Sequence, residues 1–197
     1  MAEVRRMRPL LGTYVEIGAH GPGATTQRAI NAAFSVIEAI HTSLSFQDPD
    51  SELSRLNRTP GQWVSVSRIG LRVLQLSRAI GVASGERFNC TVGGQMVRWG
   101  ALPEHTADVR IDIGNAQDIE IRPGAARLRR AVLVTLDGIA KGFAVDRAIT
   151  LLIRRGVSSG WVNAGGDLRV YGDKRLEIVR RELNGSLQPL GYLQNGA

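Results

Sequence analysis

Residues 132–167 constrain the fold of this chain more than any other stretch, because a strand pattern, a helix pattern and a second strand pattern follow one another there. Residues 132–136 (VLVTL) are apolar and β-branched, and the turn pair Asp137-Gly138 follows them. Apolar residues recur at helical spacing over 139–155, and Gly156 is a typical helix stop. Residues 161–163 (WVN) then predict another strand. The whole pattern predicts a βαβ-like unit with a polar turn at each strand's carboxyl end.

Lys141 is unusual because it lies in the first turn of that predicted helix, where the helix dipole disfavours a cation. Gly138 and Gly142 flank it. Backbone N–H groups, the dipole and an ammonium group together predict a site for an anion such as phosphate. A solvated lysine between two turn-forming glycines explains the same pattern, and both interpretations stay open at this point. The spacing matches neither GxxxxGK[ST] nor GxGxxG.

Length and composition indicate an ordinary globular protein, and we expect one domain over residues 1–197. Hydrophobic residues make up 43% of the 197 residues and charged residues 22%. The formal net charge of +7 comes partly from arginine pairs, which could favour anionic partners. Such pairs are most often solvated, and no basic stripe with interleaved aromatic residues occurs. Nucleic-acid binding is therefore the weakest of the functions considered.

The cysteine, histidine and apolar patterns each predict an absence. Cys90 is the single cysteine, so no intramolecular disulfide can form. The three histidines show no ligand spacing, so we expect no zinc site. No apolar run approaches the length of about 20 residues that a membrane span needs. The first residues show no signal-peptide pattern, and we expect a cytoplasmic protein unless a leader precedes them.

The rest of the chain alternates helix and strand patterns. Among the helices, residues 52–57 are capped by Asp50 or Ser51, and Ser67 caps a longer helix. The remaining predicted elements are a strand at 11–18, a helix capped by Thr25 or Thr26, strands at 63–66 and 109–113, a hairpin at 119–129, and strands at 168–171 and 176–179. This order predicts an α+β fold with mixed or antiparallel sheets packed with helices.

Five stretches, taken together, resemble the ApbE-type FAD:protein FMN transferases. In chain order they are LGT at 11–13, SFQDPDSELSRLN at 45–57, FNCTVGGQMVRWG at 88–100, TLDGIAKGFAVD at 135–146 and NAGGD at 163–167. One such stretch would be weak, but five in order over nearly the whole chain are specific. The resemblance implies an ApbE-like (T-fold-like) α+β domain. It also favours the anion-binding interpretation of Lys141.

The resemblance implies an activity and its cofactors. Members of this family transfer FMN from FAD to a threonine of an acceptor flavoprotein and release AMP, and they need a divalent cation, usually Mg²⁺. Family members are often periplasmic or anchored to a membrane. For this chain, the implied partners are therefore FAD and the threonine of an acceptor flavoprotein, with neither nucleic acid nor a membrane span.

Matching positions carry the family's roles to residues of this chain. The resemblance implies FAD contacts at Leu11, Phe46, Arg87, Phe88, Asn89, Thr135 and Lys141. Leu11 stands where the family usually has methionine, and Thr135 stands where it often has aspartate. Phe46 stands where the family has an aromatic residue, often tyrosine. Gly138 matches a magnesium-site residue and can contribute only its carbonyl. No catalytic residue is assigned.

The family continues beyond the position of Ala197 with the segment that carries most magnesium ligands and the catalytic carboxylate. From the retained residues we expect flavin-nucleotide binding with little or no transfer, and we expect the missing segment to restore transfer. Asp137 and Asp167 are the carboxylates of the two central turns, and helix capping and loop support are the roles we favour for them. A flavin-binding protein without chemistry is the alternative function.

Overall fold

The computed structural model describes residues 3–104 and 111–197, and these residues divide into two compact units. Unit 1 comprises Met1–Glu38 and Lys141–Ala197, and unit 2 comprises Ala39–Ala140. Helices α1 (Gly23–Leu44) and α5 (Asp137–Arg154) each begin in one unit and end in the other. None of the described helices is long and apolar enough to cross a membrane.

Unit 1 is built on a four-stranded antiparallel sheet. Its strands are β1 (Glu3–Leu10), β2 (Thr13–His20), β6 (Ser159–Ala164) and β7 (Asp167–Tyr171), in the order β1-β2-β6-β7. Ile17 of β2 pairs with Val162 of β6, and both side chains are fully buried. The guanidinium of Arg8 lies 4.7 Å from the ring centroid of Phe34, so α1 lies against this sheet at β1.

A two-stranded hairpin completes unit 1. It consists of β8 (Leu176–Arg181) and β9 (Leu187–Leu193), with a register shift between Ile178 and Val179. After β9 the chain returns to the main sheet, where Gly196 and Val170 exchange two backbone hydrogen bonds of 2.8 and 3.1 Å. The segment beyond β9 therefore starts to pair with the outer edge of β7.

In its described residues, unit 2 contains a three-stranded antiparallel sheet and three short or medium helices that lie wholly within it. Its elements are α2 (Glu52–Arg58), β3 (Val64–Ser65), α3 (Arg68–Ala83), α4 (Gly93–Arg98), a 3₁₀ turn (Ala116–Asp118), β4 (Ile119–Arg122) and β5 (Ala125–Leu128). The strand order is β3-β5-β4. Buried Ile119 and Leu128 pair across the β4–β5 hairpin, as the sequence predicted.

Two of the predicted caps, Ser51 and Ser67, hold their helix starts, whereas α1 begins at Gly23, before the predicted caps Thr25 and Thr26. Ser51 Oγ accepts the N–H of Ser54 at 3.0 Å, and Ser67 Oγ accepts the N–H of Gly70 at 3.1 Å. Each serine satisfies a backbone donor that has no partner within its own helix. The α+β class with antiparallel sheets is confirmed.

The βαβ-like prediction for residues 132–167 is wrong, although its helix and second strand exist. Residues 133–136 form no regular strand, and β6 is antiparallel to both of its neighbours. The backbone of this extended segment bonds to loops instead. Val134 N–H donates to Asn57 Oδ1, Leu133 C=O accepts from Gly93 N–H, and Thr135 N–H donates to the Cys90 carbonyl. Part of the strand predicted at 109–113 lies outside the described residues.

Two further differences have simple causes. Strand β1 was missed because exposed arginines replace the apolar alternation that marks a half-buried strand. Helix α5 begins at Asp137, two residues before the predicted start. The Leu136 carbonyl already accepts the N–H groups of Ile139 and Ala140, at 2.9 and 2.8 Å. Lys141 therefore lies one turn into the helix, where the unfavourable dipole term is smaller.

Asn57 is expected to be important for the stability of unit 2, because its carboxamide bonds both backbone groups of the buried Val134, at 2.8 and 2.9 Å. Asn57→Ala leaves a buried donor and a buried acceptor without partners, and should lower the free energy of unfolding by about 2–4 kcal/mol. Chemical denaturation measures the change. Gln75→Ala, on the exposed side of α3, is the control and should change it by less than about 0.5 kcal/mol. Equal values for both variants would contradict the role of Asn57.

Candidate functional site

The N-terminus of α5 carries three of the predicted site residues. Thr135 is 9% exposed, and its Oγ1 accepts the N–H of Asp137, the first helical residue, at 3.5 Å. Gly138 is exposed in the first turn. Lys141 follows one turn later. The extended segment before the helix thus presents a hydroxyl and a helix start at one place, which is suited to polar or anionic ligand groups.

The loop after α3 carries Arg87, Phe88 and Asn89. The side chain of Arg87 is exposed, whereas Phe88 and Asn89 are half-buried. Asn89 Oδ1 accepts from the Thr91 N–H at 2.8 Å and the Thr91 hydroxyl at 2.6 Å, and its Nδ2 donates to the Gly114 carbonyl at 2.9 Å. The Asn89 side chain therefore uses most of its hydrogen-bonding capacity to hold this loop in place.

The thiol of Cys90, the next residue, is expected to be unreactive. It is 5% exposed, and burial raises the pKa of its thiol to about 11. At neutral pH it stays a protonated thiol, which is a poor nucleophile.

Within unit 2, the structure brings the predicted loop and helix start together. Thr135 N–H donates to the Cys90 carbonyl at 2.8 Å, so this threonine lies beside the Asn89 loop. A Cβ placed on Gly138 would lie 3.5 Å from Cε2 of Phe88, an ordinary van der Waals contact. Phe88, Asn89, Thr135 and Gly138 thus form one continuous surface, which we call the helix-start surface.

Lys141 belongs to unit 1, where it pairs with the carboxylate of Asp167. Their Nζ and Oδ2 atoms are 3.8 Å apart, and the side chains are 37% and 46% exposed. A pair this long and exposed is weak, so the ammonium remains available to a stronger anion. Asp167 also lines a cavity of about 470 Å³, together with Gly142, Asp146 and Arg169.

Leu11 and Phe46 complete the predicted set. Leu11 lies in unit 1, in the tight turn between β1 and β2, with φ of +56°. Phe46 lies in unit 2 and is only 2% exposed. Its loop is tied to α2, because Ser51 Oγ donates to the Ser45 carbonyl at 2.6 Å. This burial fits a ring that packs in the core, whereas the resemblance implies a contact with FAD.

The described residues do not by themselves fit a magnesium ion. Among residues 3–104 and 111–197, no three Asp, Glu, His or Cys side chains are grouped closely enough to hold a metal. Magnesium prefers several oxygen ligands, usually with one or two carboxylates. Gly138 offers a carbonyl alone, and Asp167 is already beside Lys141.

Two further surfaces were not found from the sequence. In unit 2, a cavity of about 750 Å³ is lined by Glu86, Asn115, Gln117, Asp118, Arg129 and Arg130. Arg130 hydrogen-bonds the carboxyl of Asp118 and holds its pKa below the usual range. In unit 1, Arg6 and Arg8 border a cavity of about 410 Å³. Arg6 and Arg8 are two residues apart, which places them on one face of a strand and could have indicated this surface. The sequence interpretation treated the arginines as solvated pairs instead.

Curated proteins with similar sequences share one name. A relative from Treponema pallidum named FAD:protein FMN transferase is 26% identical over 91% of this chain and 56% of its own length. One of the same name from Vibrio cholerae is 25% identical over 88% of this chain and 56% of its own length. The chain therefore spans about half the length of these curated relatives.

Solved structures show the same fold. The ApbE protein from Thermotoga maritima superposes with a TM-score of 0.83 at 22% identity, covering 97% of this chain and 67% of its own. The flavin transferase ApbE from Vibrio cholerae gives a TM-score of 0.78 at 25% identity, covering 95% and 67%. The sequence model of the ApbE family matches residues 11–188. The chain belongs to the ApbE family.

Proposed function

We propose that the protein transfers FMN from FAD to a threonine of an acceptor flavoprotein, with Mg²⁺ dependence and release of AMP. The observation that carries the proposal is the family match over residues 11–188, which includes every predicted contact residue. The names of the curated relatives support transfer of FMN from FAD to a protein. The threonine, the AMP and the magnesium rest on the resemblance of the five motifs.

The helix-start surface is the proposed place for part of the FAD. Thr135 accepts a weak 3.5 Å bond from Asp137, and its hydroxyl hydrogen can be donated to a ligand acceptor. Because most of the Asn89 carboxamide is engaged with Thr91 and Gly114, this loop would contact a nucleotide chiefly through its backbone and through Arg87. The exposed guanidinium of Arg87 suits a phosphate oxygen.

Lys141 is the proposed ligand of the FAD pyrophosphate. Its pairing with Asp167 is long and exposed, whereas a diphosphate offers more negative charge and several acceptor oxygens. Exchange of one partner for the other would move Lys141 little. Asp167 would then be released from its cation, and its loop would still be held by the pairing of β6 with β7.

The proposed transfer is a displacement at the phosphorus of the FMN half. The threonine oxygen forms a bond to that phosphorus, the P–O bond to the AMP half breaks, and AMP leaves with the bridging oxygen. The hydroxyl proton must pass to a base, which is not assigned among the described residues. The ammonium of Lys141, placed near the diphosphate, would stabilise the charge that develops there. A bound Mg²⁺ would neutralise part of that charge, and it would need other ligands in addition to the Gly138 carbonyl.

Transfer is tested directly with the purified chain, FAD, Mg²⁺ and an acceptor flavoprotein. Because the described residues do not by themselves fit a magnesium ion, we expect residues 1–197 alone to bind FAD with little or no transfer. With the C-terminal segment of a curated relative added in trans, we expect one FMN to be added to the acceptor, seen by mass spectrometry, and an equal amount of AMP to appear. Chelation of the metal and replacement of the acceptor threonine by valine should each abolish both signals. Tight FAD binding with no AMP release, even when Mg²⁺, the added segment and the acceptor threonine are all present, would reject transfer and support a flavin-binding function.

Lys141→Ala tests the proposed pyrophosphate contact. Loss of a charge-assisted hydrogen bond should weaken FAD binding by about 1–3 kcal/mol. Titration of FAD fluorescence measures the affinity. Arg147→Ala is the matched control, because it removes an exposed cation from the same helix, and it should leave the affinity unchanged. The same affinity in all three proteins would remove Lys141 from the site.

Phe46→Ala separates a packing role from a ligand contact. Removal of a buried ring should lower stability without FAD by about 3–5 kcal/mol. If the ring also covers the nucleotide, the binding free energy of FAD to the folded protein should in addition weaken by about 0.5–1.5 kcal/mol. Leu53→Ala, at a neighbouring site that is 3% exposed, is the control for packing alone. Melting curves of both variants with and without FAD distinguish the packing role from the ligand contact. Equal stabilisation by FAD in the two variants would exclude Phe46 as a contact.

A further inference from the structure

Strand β1 forms one edge of the four-stranded sheet of unit 1. Its whole length, from the Glu3–His20 pair to the Leu10–Thr13 pair, is in register with β2. On its other side, no strand among residues 3–104 and 111–197 pairs with it. An edge of this kind presents unpaired backbone donors and acceptors, which can accept another strand.

The turn at Leu11 and Gly12 determines which backbone groups point outward. Both residues have positive φ, +56° and +68°, as in a two-residue type I′ hairpin. In such a hairpin, the flanking residues Leu10 and Thr13 form a hydrogen-bonded pair, and the bonds then alternate along the strands. The even-numbered residues of β1 therefore bond to β2, and the odd-numbered residues point outward. Pro9, which has no N–H, falls on the outward side, where strand prolines are tolerated.

The face of β1 toward α1 carries unneutralised positive charge. Arg6 and Arg8 line the cavity of about 410 Å³ with Gln27, Asn31 and Phe34, and no carboxylate is among its lining residues. Arg6 donates two hydrogen bonds to Gln27 Oε1, at 3.2 and 2.9 Å. Arg8 lies over the Phe34 ring. Within the described part of the chain, neither guanidinium has a carboxylate partner.

The opposite face of β1 is different. Arg5 pairs with Glu16 at 2.5 Å and lies 5.3 Å from the ring centroid of Trp161. Met7, beside it, is 58% exposed. The free positive charge of β1 is therefore confined to the α1 side and to alternate residues of one strand.

We propose that β1 binds an extended acidic segment of a partner protein as a fifth strand of this sheet. Backbone bonds would form with Arg5 and Met7, and carboxylates at alternate positions would lie opposite Arg6 and Arg8. Two residues of a strand span about 6.5 Å, so a strand with acidic side chains at alternate positions repeats at the spacing of these two arginines. A second copy of this chain paired antiparallel about Met7 would place its own arginines opposite Arg6 and Arg8, which disfavours that arrangement.

The test uses the full chain and a labelled eight-residue peptide with glutamate at alternate positions and threonine or valine between them. Fluorescence anisotropy should show binding that weakens as salt rises. Arg6→Glu with Arg8→Glu should weaken it by about tenfold or more, because two attractive pairs become repulsive. Arg72→Glu with Arg78→Glu changes the net charge equally on exposed positions of α3 and should leave binding unchanged. Circular dichroism checks folding, and the glutamine double variant replaces the charge reversal if that protein misfolds.

Strand addition is separated from simple charge attraction by a second peptide. Methylation of alternate backbone nitrogens on the side that faces β1 keeps every carboxylate but removes the donors, and should abolish binding. Undiminished binding of the methylated peptide would overturn the proposal. So would an equal loss in the α3 control variant. Inorganic pyrophosphate that displaced the peptide completely at equal charge concentration would instead indicate a small-anion site, and would also overturn it.

Discussion

The backbone of residues 132–136 has to satisfy its polar groups without a regular strand partner, and much of unit 2 is arranged around that requirement. Val134 takes both of its bonds from the Asn57 side chain, Thr135 donates to the Cys90 carbonyl, and Leu133 accepts from Gly93. Because buried backbone groups are costly to leave unpaired, these bonds fix where the extended segment ends. The position of Thr135 and the start of α5 follow from it.

Local signals in the sequence predicted the elements that depend on local physics. The serine caps at Ser51 and Ser67 and the β4–β5 hairpin involve partners a few residues away, so their patterns could be read directly. Strand partners are a different matter. Sequential strand, helix and strand patterns favoured a parallel crossover, yet β6 pairs with β2, which lies about 140 residues earlier. No local pattern encodes that choice.

The candidate site divides in the same way. The motifs located the loop of Asn89 and the helix start at Thr135 and Gly138, and the structure brings these together. The sequence could not show which of these side chains are already buried or bonded to other parts of the protein. The Asn89 carboxamide is engaged within its loop, and the Phe46 ring is buried. Lys141 has a carboxylate neighbour, Asp167, at the start of β7, 26 positions later. These contacts arise from tertiary packing, and the residue types and spacing of a motif do not specify tertiary packing.

The turn at Leu11 has a consequence for how this protein would respond to selection. A leucine held at φ of +56° costs on the order of 1 kcal/mol relative to glycine or asparagine in the same conformation. A screen for heat resistance alone would therefore favour glycine or asparagine there. The same exchange would remove the apolar side chain that we propose contacts the nucleotide. Stabilised descendants of this chain could thus lose ligand recognition at a position that no measurement of folding would flag.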